Sequence, residues 1–260
     1  MSQIEARNVS IIYENPRDKT ELIALDDFSL NIESGEFLVI VGPSGCGKTS
    51  FLNAVGGLVP MASGELLIDG KPVTGPGPDR AMVFQEYALL PWRNVWDNIL
   101  FPLELKGKSK ADEAIDRAKK YVQMIGLEAF EKNYPHELSG GMRQRVGLAR
   151  ALIAEPRILL MDEPFAAVDA MTREVMQEEL LKILDQARAT VIFITHSIDE
   201  AITLGDRVVV MTARPGKIKE VIKIDLVKPR WQYDLRSTDQ FVKMRDHIWG
   251  LLHEEAKRVR

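Results

Sequence analysis

A single cysteine, Cys46, stands in a chain of 260 residues, which excludes an internal disulfide framework. The four histidines, His136, His196, His247 and His253, share no zinc-ligand spacing with it or with one another. No run approaches the ~18 apolar residues of a membrane span. The N-terminus, MSQIEARNVS, lacks the charged-then-apolar layout of a secretory signal. These absences lead us to expect an intracellular chain whose membrane role, if it has one, comes through another protein. Neither charge sign dominates: 34 Lys and Arg against 38 Asp and Glu leave −4, so nucleic acid is not expected as a partner. The basic end, Lys257-Arg258-Val259-Arg260, reads as a solvated helix terminus rather than a membrane anchor. Internal repeats and low-complexity tracts are absent as well.

What is present is an ordinary globular composition, 45% hydrophobic and 28% charged, in a chain long enough for one substantial core and a subdomain. Segments 3–13 and 23–33 mix β-branched and polar residues, and the polar ENPRDKTE at 14–21 reads as a surface loop between them. A buried strand is expected at 37–41, and GELLIDG at 64–70 reads as a short strand ending in an Asp-Gly turn. From about 94 to 155 the texture is helical, with Ala114, Ile115, Ala118, Val122 and Ile125 on one face of a helix over 110–127. Strands at 157–162, 190–195 and 207–211 then alternate with helices at 170–187 and 197–204. A last helix at about 238–257 carries Phe241, Met244, Ile248 and Leu251 on one stripe, expected to pack on the protein's own core. The pattern predicts an α/β fold, a largely parallel sheet covered by helices with an α-helical insertion.

The densest chemical signal is GPSGCGKT at 42–49, directly after the apolar run FLVIV and before a helical segment. Gly42, Gly45 and Gly47 let successive backbone N–H groups face one anion, with a helix N-terminus behind them. Lys48 would reach the β- and γ-phosphates, and the Thr49 hydroxyl would ligate Mg²⁺. The context of strand, glycine-rich turn and helix is what a nucleoside-triphosphate site requires. Cys46 inside this loop reads as a small residue tolerated in a tight turn. The competing reading is a thiol of lowered pKa giving redox control of nucleotide binding.

A second half of the site lies downstream. The apolar strand ILLM ends in Asp162 and Glu163; the first carboxylate suits Mg²⁺, the second suits orienting and deprotonating a water. Before it, Leu138-Ser139-Gly140-Gly141-Met142 opens a strongly helical run, a further anion-binding helix start with a serine hydroxyl. Two phosphate-reading loops in one chain make sense where two molecules sandwich nucleotide between them.

Together these residues resemble the ATP-binding cassette family, the nucleotide-hydrolysing subunits of membrane transporters, over nearly the whole chain. The resemblance implies a P-loop NTPase core with an N-terminal antiparallel β part and an inserted helical subdomain. It divides the chain into a core at 1–86 and 157–227, a helical subdomain at 87–156 and a helical tail at 228–260. Gly42, Pro43, Ser44, Gly45, Cys46, Gly47, Lys48, Thr49 and Ser50 match the Walker A loop and its helix start. The strand ending at Asp162 matches Walker B, with Glu163 as catalytic base. Ser139, Gly140 and Gly141 match the family signature. Gln85 matches the glutamine that senses γ-phosphate and Mg²⁺, His196 the histidine on the γ-phosphate, and Tyr13 the aromatic that stacks on adenine. Asp169, with Ala166, Ala167 and Val168, matches the loop at the dimer seam. Met142 replaces the usual Gln of the signature, and Ala166 and Val168 replace the usual Ser and Leu of the seam loop. The strand-face reading of Tyr13 and a capping role for His196 stay open on the residues alone, and His136 is read as structural.

The resemblance further implies ATP and Mg²⁺ as cofactors and a second cassette as partner. Each γ-phosphate is expected between Lys48, Gln85 and His196 of one chain and Ser139, Gly140 and Gly141 of the other. Within Leu89-Leu90-Pro91-Trp92-Arg93-Asn94-Val95-Trp96-Asp97-Asn98, LLPW, with VTGPGPDRAMVFQE before it and LSGGMRQRVGLARAL after it, resembles the nitrate, sulfonate and taurine importer branch, and MTARPGKI and DQFVKMRDHIW point the same way. That places the protein at the cytoplasmic face of the cell membrane. Permease subunits would dock near residues 85–98, and an extracytoplasmic binding protein would be an indirect partner. The competing reading of Trp92 and Trp96 is subdomain core. A soluble cassette ATPase remains the alternative function, although no coiled-coil insertion, second cassette or zinc module accompanies the motifs. A P-loop kinase or GTPase fits less well, given LSGGM, His196 and the lack of an NKxD-type guanine motif.

Overall fold

A computed structural model gives the structure of the protein and describes residues 2–17, 19–86, 88–107, 111–232 and 235–258. In chain order its strands and helices are β1 (Ser2–Glu14), β2 (Glu21–Glu33), β3 (Phe37–Val41), α1 (Lys48–Gly56), β4 (Ser63–Ile68), β5 (Lys71–Pro72), β6 (Arg80–Val83), α2 (Val95–Leu105) and α3 (Asp112–Met124). They continue with α4 (Gly140–Leu152), β7 (Ile158–Asp162), α5 (Ala170–Ala187), β8 (Thr190–Ile194), α6 (Ile198–Leu204), β9 (Arg207–Met211), β10 (Ile218–Lys223) and α7 (Asp239–Arg258). The chain forms two compact units, Met1–Gly77 with Arg188–Arg260, and Pro78–Ala187. β6, β7 and α5 therefore group with the helical segment. Among the described residues no helix is long and apolar enough to cross a membrane.

In the first unit an antiparallel sheet has the order β2-β1-β4-β5. The buried side chains of β1 change parity along the strand, from Ile4 and Ala6 to Val9 and Ile11. A register shift lies between Ala6 and Val9, where Asn8 takes φ 50. An extra residue in a strand exchanges its two faces, so this bulge is what keeps both halves of β1 on the core. β4 and β5 meet through the Asp69-Gly70 turn, with Ile68 opposite Lys71.

The unit's other strands run β10-β9-β3-β8, with β3 parallel to both β8 and β9. Every residue of β3 (FLVIV) and β8 (TVIFI) is buried, as expected of parallel strands covered on both faces. β10 is antiparallel to β9. The sequence reading did not foresee it, because IKEVIK is a half-exposed edge strand without a buried run.

α7 docks through Phe241 and Ile248, each 0% exposed, while Met244 and Leu251 are only half-buried. Two such side chains supply on the order of 1.5–3 kcal/mol each by leaving water. The stripe is completed by a carboxylate, Glu255, 1% exposed. Arg230, also buried, donates to the carbonyls of Leu204, Gly205 and Ile224 at 3.1, 2.6 and 3.2 Å and pairs with Asp206. Of the basic C-terminal cluster, Arg258 pairs with Glu255 at 3.1 Å, and Val259 and Arg260 lie outside the described residues.

In the second unit β6 and β7 are parallel, and α4 packs against β6, α2 and α3. α3 buries Ala114, Ala118 and Val122, with Tyr121 in place of the expected Ile115 on the buried face. Lys110, at the start of the expected helix, lies outside the described residues.

Candidate functional site

In the first unit the phosphate loop leaves the C-terminal end of β3 and enters α1. Gly47 is the N-cap of α1 with φ 98. A Cβ there would stand 2.5 Å from the Ala24 carbonyl, so both the backbone angle and the space require glycine. A glycine N-cap also brings no side-chain oxygen to the first-turn N–H groups, which are the donors an anion takes. Lys48 is 8% exposed, and its Nζ donates to the carbonyls of Gly42 and Pro43 at 2.8 and 2.9 Å. The loop thus holds its own cation at its rim, while Thr49 faces solvent. These features fit a triphosphate and its Mg²⁺.

Cys46 is 1% exposed, and burial pushes its thiol pKa up, with the Lys48 charge opposing only in part. Burial of the thiol agrees with the small-residue reading of Cys46 rather than the redox one, since desolvation outweighs the Lys48 charge and hydrogen bonds that would activate the thiol.

Tyr13, 38% exposed on β1, donates to Ser50 Oγ at 3.2 Å, which brings its ring beside the first turn of α1. His196 follows β8, whose register Ile40↔Ile194 brings the two strand ends out level at one edge. Its flanks are wired: Thr195 Oγ1 bonds Glu200 at 2.5 Å and accepts from Ser197 N–H at 3.0 Å, and Ser197 caps α6. His196 itself is exposed. His136 stacks on Tyr134 with centroids 5.9 Å apart, in keeping with a structural role.

The second unit carries the remaining candidates. The register Val83↔Met161 carries Gln85 and Glu163, each two residues further on, out of the β6–β7 pair at the same edge. Asp162 is 3% exposed at the end of β7, and Glu163 adopts φ 48, a left-handed backbone rare for a side chain of its size. Ser139 is the N-cap of α4 and accepts from Met142 N–H at 3.2 Å, so the substituted position contributes its backbone to the cap. Gly140 and Gly141 form the first turn. A Cβ on Gly141 would stand 2.8 Å from the Ala167 carbonyl, so the loop at 166–169 presses directly on the helix start. Asp169 is held below the usual carboxylate range by the Thr172 N–H, which it accepts at 3.0 Å, helped by the Arg145 charge.

Two residues whose positioning role sequence reading missed organise this unit. Gln144, 2% exposed, donates to the Glu163 carbonyl at 2.8 Å and accepts from Ala167 N–H at 2.9 Å. Its signal was a lone amide on the buried stripe of α4, in line with Leu148 and Ala151. Asn98, 0% exposed, accepts from Leu90 N–H at 2.9 Å and donates to the carbonyls of Leu90, Arg93 and Asn94 at 3.1, 2.9 and 3.0 Å. It clamps the loop that displays Trp92, which is 71% exposed; Trp96 is partly buried. Arg93 adds an ion pair to Glu104 and lies 4.9 Å from the Phe101 ring centroid.

A protein-family model described as ABC transporter matches residues 25–166. An uncharacterised ABC transporter ATP-binding protein of Methanocaldococcus jannaschii is 51% identical over 254 residues, 98% of this chain and 92% of that protein. The taurine import ATP-binding protein TauB of Escherichia coli is 44% identical over 238 residues, 90% of this chain and 93% of that one. Among solved structures, a dimeric ATP-binding cassette in a post-hydrolysis state, bound to ADP and Pi, matches with a TM-score of 0.78 at 33% identity. That match covers 86% of this chain and 100% of the other.

Proposed function

Because this chain belongs to the ABC transporter family and is an ATP-hydrolysing subunit within it, we propose that it energises a membrane importer for a small anion such as taurine, another alkanesulfonate or nitrate. The observation that carries the import reading is Trp92. An indole 71% exposed on a loop clamped by a fully buried asparagine is a preformed anchor for a partner, and aromatic side chains of this kind dominate interface energetics. The 44% identity to a taurine import protein supports the class of cargo.

Lys48 and His196 are assigned to the γ-phosphate, Tyr13 to adenine, and the first-turn N–H groups of α1, with Gly42–Ser50 around them, to the phosphates. Thr49, Gln85 and Asp162 are assigned to Mg²⁺, which when bound neutralises charge on the phosphate oxygens. Glu163 accepts a proton from the attacking water as its oxygen bonds the γ-phosphorus. The bond to the bridging oxygen then breaks, leaving ADP and phosphate. Ser139, Gly140 and Gly141 serve the nucleotide of a second cassette, and Asp169 lies on the seam. Closure of two cassettes drives the permease subunits docked near residues 85–98 through a change of access, and hydrolysis reopens the pair. The protein works peripherally at the cytoplasmic face of the membrane, downstream of an extracytoplasmic binding protein.

The test is growth of a deletion strain on taurine, other sulfonates or nitrate as sole sulfur or nitrogen source. Loss of growth on one source, restored by wild type and not by Glu163→Gln, is the expected result. Normal growth on all of them in a strain without a second such transporter would point to a cassette ATPase outside this import class.

A further inference from the structure

The segment between β9 and β10 is an internally wired loop. Thr212 N–H donates to Lys217 O at 2.9 Å, Lys217 N–H to Thr212 Oγ1 at 3.0 Å, and Thr212 Oγ1 to Pro215 O at 3.1 Å. β9 pairs with β3 in the register Val41↔Val210, so this loop leaves the sheet at the edge where the phosphate loop leaves β3. The two loops then lie against each other in step. A Cβ on Gly42 would stand 3.1 Å from Met211 Cβ. The Arg214 Nε donates to the Gly45 carbonyl at 3.2 Å, and its guanidinium fills the space beside the Gly45 Cα. A Cβ on Gly216 would stand 2.0 Å from the Cys46 carbonyl. Gly216 is in turn fixed to β2, donating to Ala24 O at 3.0 Å and accepting from Asp26 N–H at 3.2 Å.

These contacts act on peptide planes that matter for phosphate. A peptide is rigid, so holding its carbonyl sets where the N–H on its other edge points. Arg214 holds the 45–46 peptide, whose N–H closes the turn onto Pro43 O at 3.3 Å. Gly216 presses on the 46–47 peptide, whose N–H belongs to the N-cap residue of α1.

The bracing loop is itself held from its far side. Ala213 N–H donates at 2.9 Å to Glu255 of α7, and Glu255 also binds Lys219 of β10 at 2.9 Å and Arg258 at 3.1 Å. A carboxylate 1% exposed and answered by three donors is a built junction rather than a solvated surface acid.

We propose that Arg214 is a positioning residue for the phosphate loop, and that Glu255 holds Arg214's loop in place, so that the C-terminal helix helps set the affinity for ATP. The inference rests on the chain's ATPase activity and not on the identity of any imported solute. Arg214 acts on ground state and transition state alike, because it shapes the cradle without touching the reacting atoms. Its loss therefore raises KM and leaves kcat.

The experiment uses the full chain, titrated with a fluorescent ATP analogue and Mg²⁺ and assayed for steady-state hydrolysis. Arg214→Ala weakens binding and raises KM about 3–10-fold, as loss of one solvent-screened charged hydrogen bond implies, with kcat within about twofold. Arg214→Lys recovers most of the affinity. Glu255→Gln, which keeps an oxygen for Ala213 N–H and loses the charge that Lys219 answers, weakens binding about 2–5-fold. Arg214→Ala combined with Glu255→Gln is no weaker than Arg214→Ala alone, because both act through one contact. Wild-type affinity in Arg214→Ala, or a fall in kcat at constant KM, overturns the positioning role. Effects that multiply in the double variant overturn the link to α7.

Discussion

Gln144 and Glu163 are joined through the backbone: the buried amide of Gln144 donates to the Glu163 carbonyl at 2.8 Å while its oxygen receives Ala167 N–H at 2.9 Å. One side chain on α4 thus spans the acidic strand end and the loop at 166–169. Glu163 keeps φ 48 there, a conformation that a surrounding hydrogen-bond frame has to maintain.

Replacing Gln144 with Leu removes both bonds; the Glu163 carbonyl keeps Ala166 N–H at 3.1 Å, so the Ala167 N–H is the backbone group left unanswered, at about 1–3 kcal/mol. We expect the denaturation midpoint to fall accordingly, and kcat to drop about tenfold with the KM for ATP within about threefold, since an action on Glu163 affects turnover rather than nucleotide binding. Hydrolysis at the wild-type rate in folded Gln144→Leu would show that the tie is structural only.

Glu163→Gln keeps the shape of the side chain and loses its basicity. ATP binding survives, hydrolysis falls on the order of 10²–10⁴-fold, and a nucleotide-bound dimer accumulates in size-exclusion chromatography. Normal turnover would remove Glu163 from the role of base.

Ser139→Arg puts a bulky cation where the exposed N-cap of α4 presents its hydroxyl. ATP-driven dimerisation, read by light scattering, is expected to vanish while the monomer keeps its nucleotide affinity. If affinity collapses together with dimerisation, the two-chain site is wrong.

Trp92→Ala removes an exposed indole that supports no core. Uptake in whole cells should weaken while ATPase of the purified chain survives. Equal loss of both activities would assign Trp92 to folding instead.

Glu255 gives a pH signature. Burial pushes its pKa up, but the hydrogen bonds from Lys219 and from Ala213 N–H prevail and hold it below the ordinary 4.5. A carboxylate with a depressed folded value stabilises the fold above its unfolded value and loses that contribution as pH falls through the folded one. Acidifying from pH 7 to 4 and below should therefore cost wild type more urea resistance than it costs Glu255→Gln. Parallel losses in the two proteins would contradict this.

The legible parts of the chain share a property: local pattern and tertiary role coincide in them. FLVIV followed by GPSGCGKT could be read as strand, loop and helix because unbroken apolarity and glycine punctuation are local signals. α5 and β9 fell where expected for the same reason. The β1 bulge was not legible, since an Asn at φ 50 looks like any other strand residue until its neighbours are known. β10 escaped because a half-exposed edge strand has neither a buried run nor a clean alternation.

The composition and order of residues determined by themselves that this is an α/β nucleotide-binding chain of the ATP-binding cassette type. Phosphate chemistry demands a small set of residues at short, nearly invariant spacings, and those survive in one dimension. What only tertiary structure decided was the work of the buried polar side chains. Gln144, Asn98 and Glu255 each meet partners far away in sequence or wrapped round a loop, and Arg214 finds Gly45 across 169 positions. A buried amide or carboxylate is costly until answered, and which backbone groups answer it is set by the packing of whole elements.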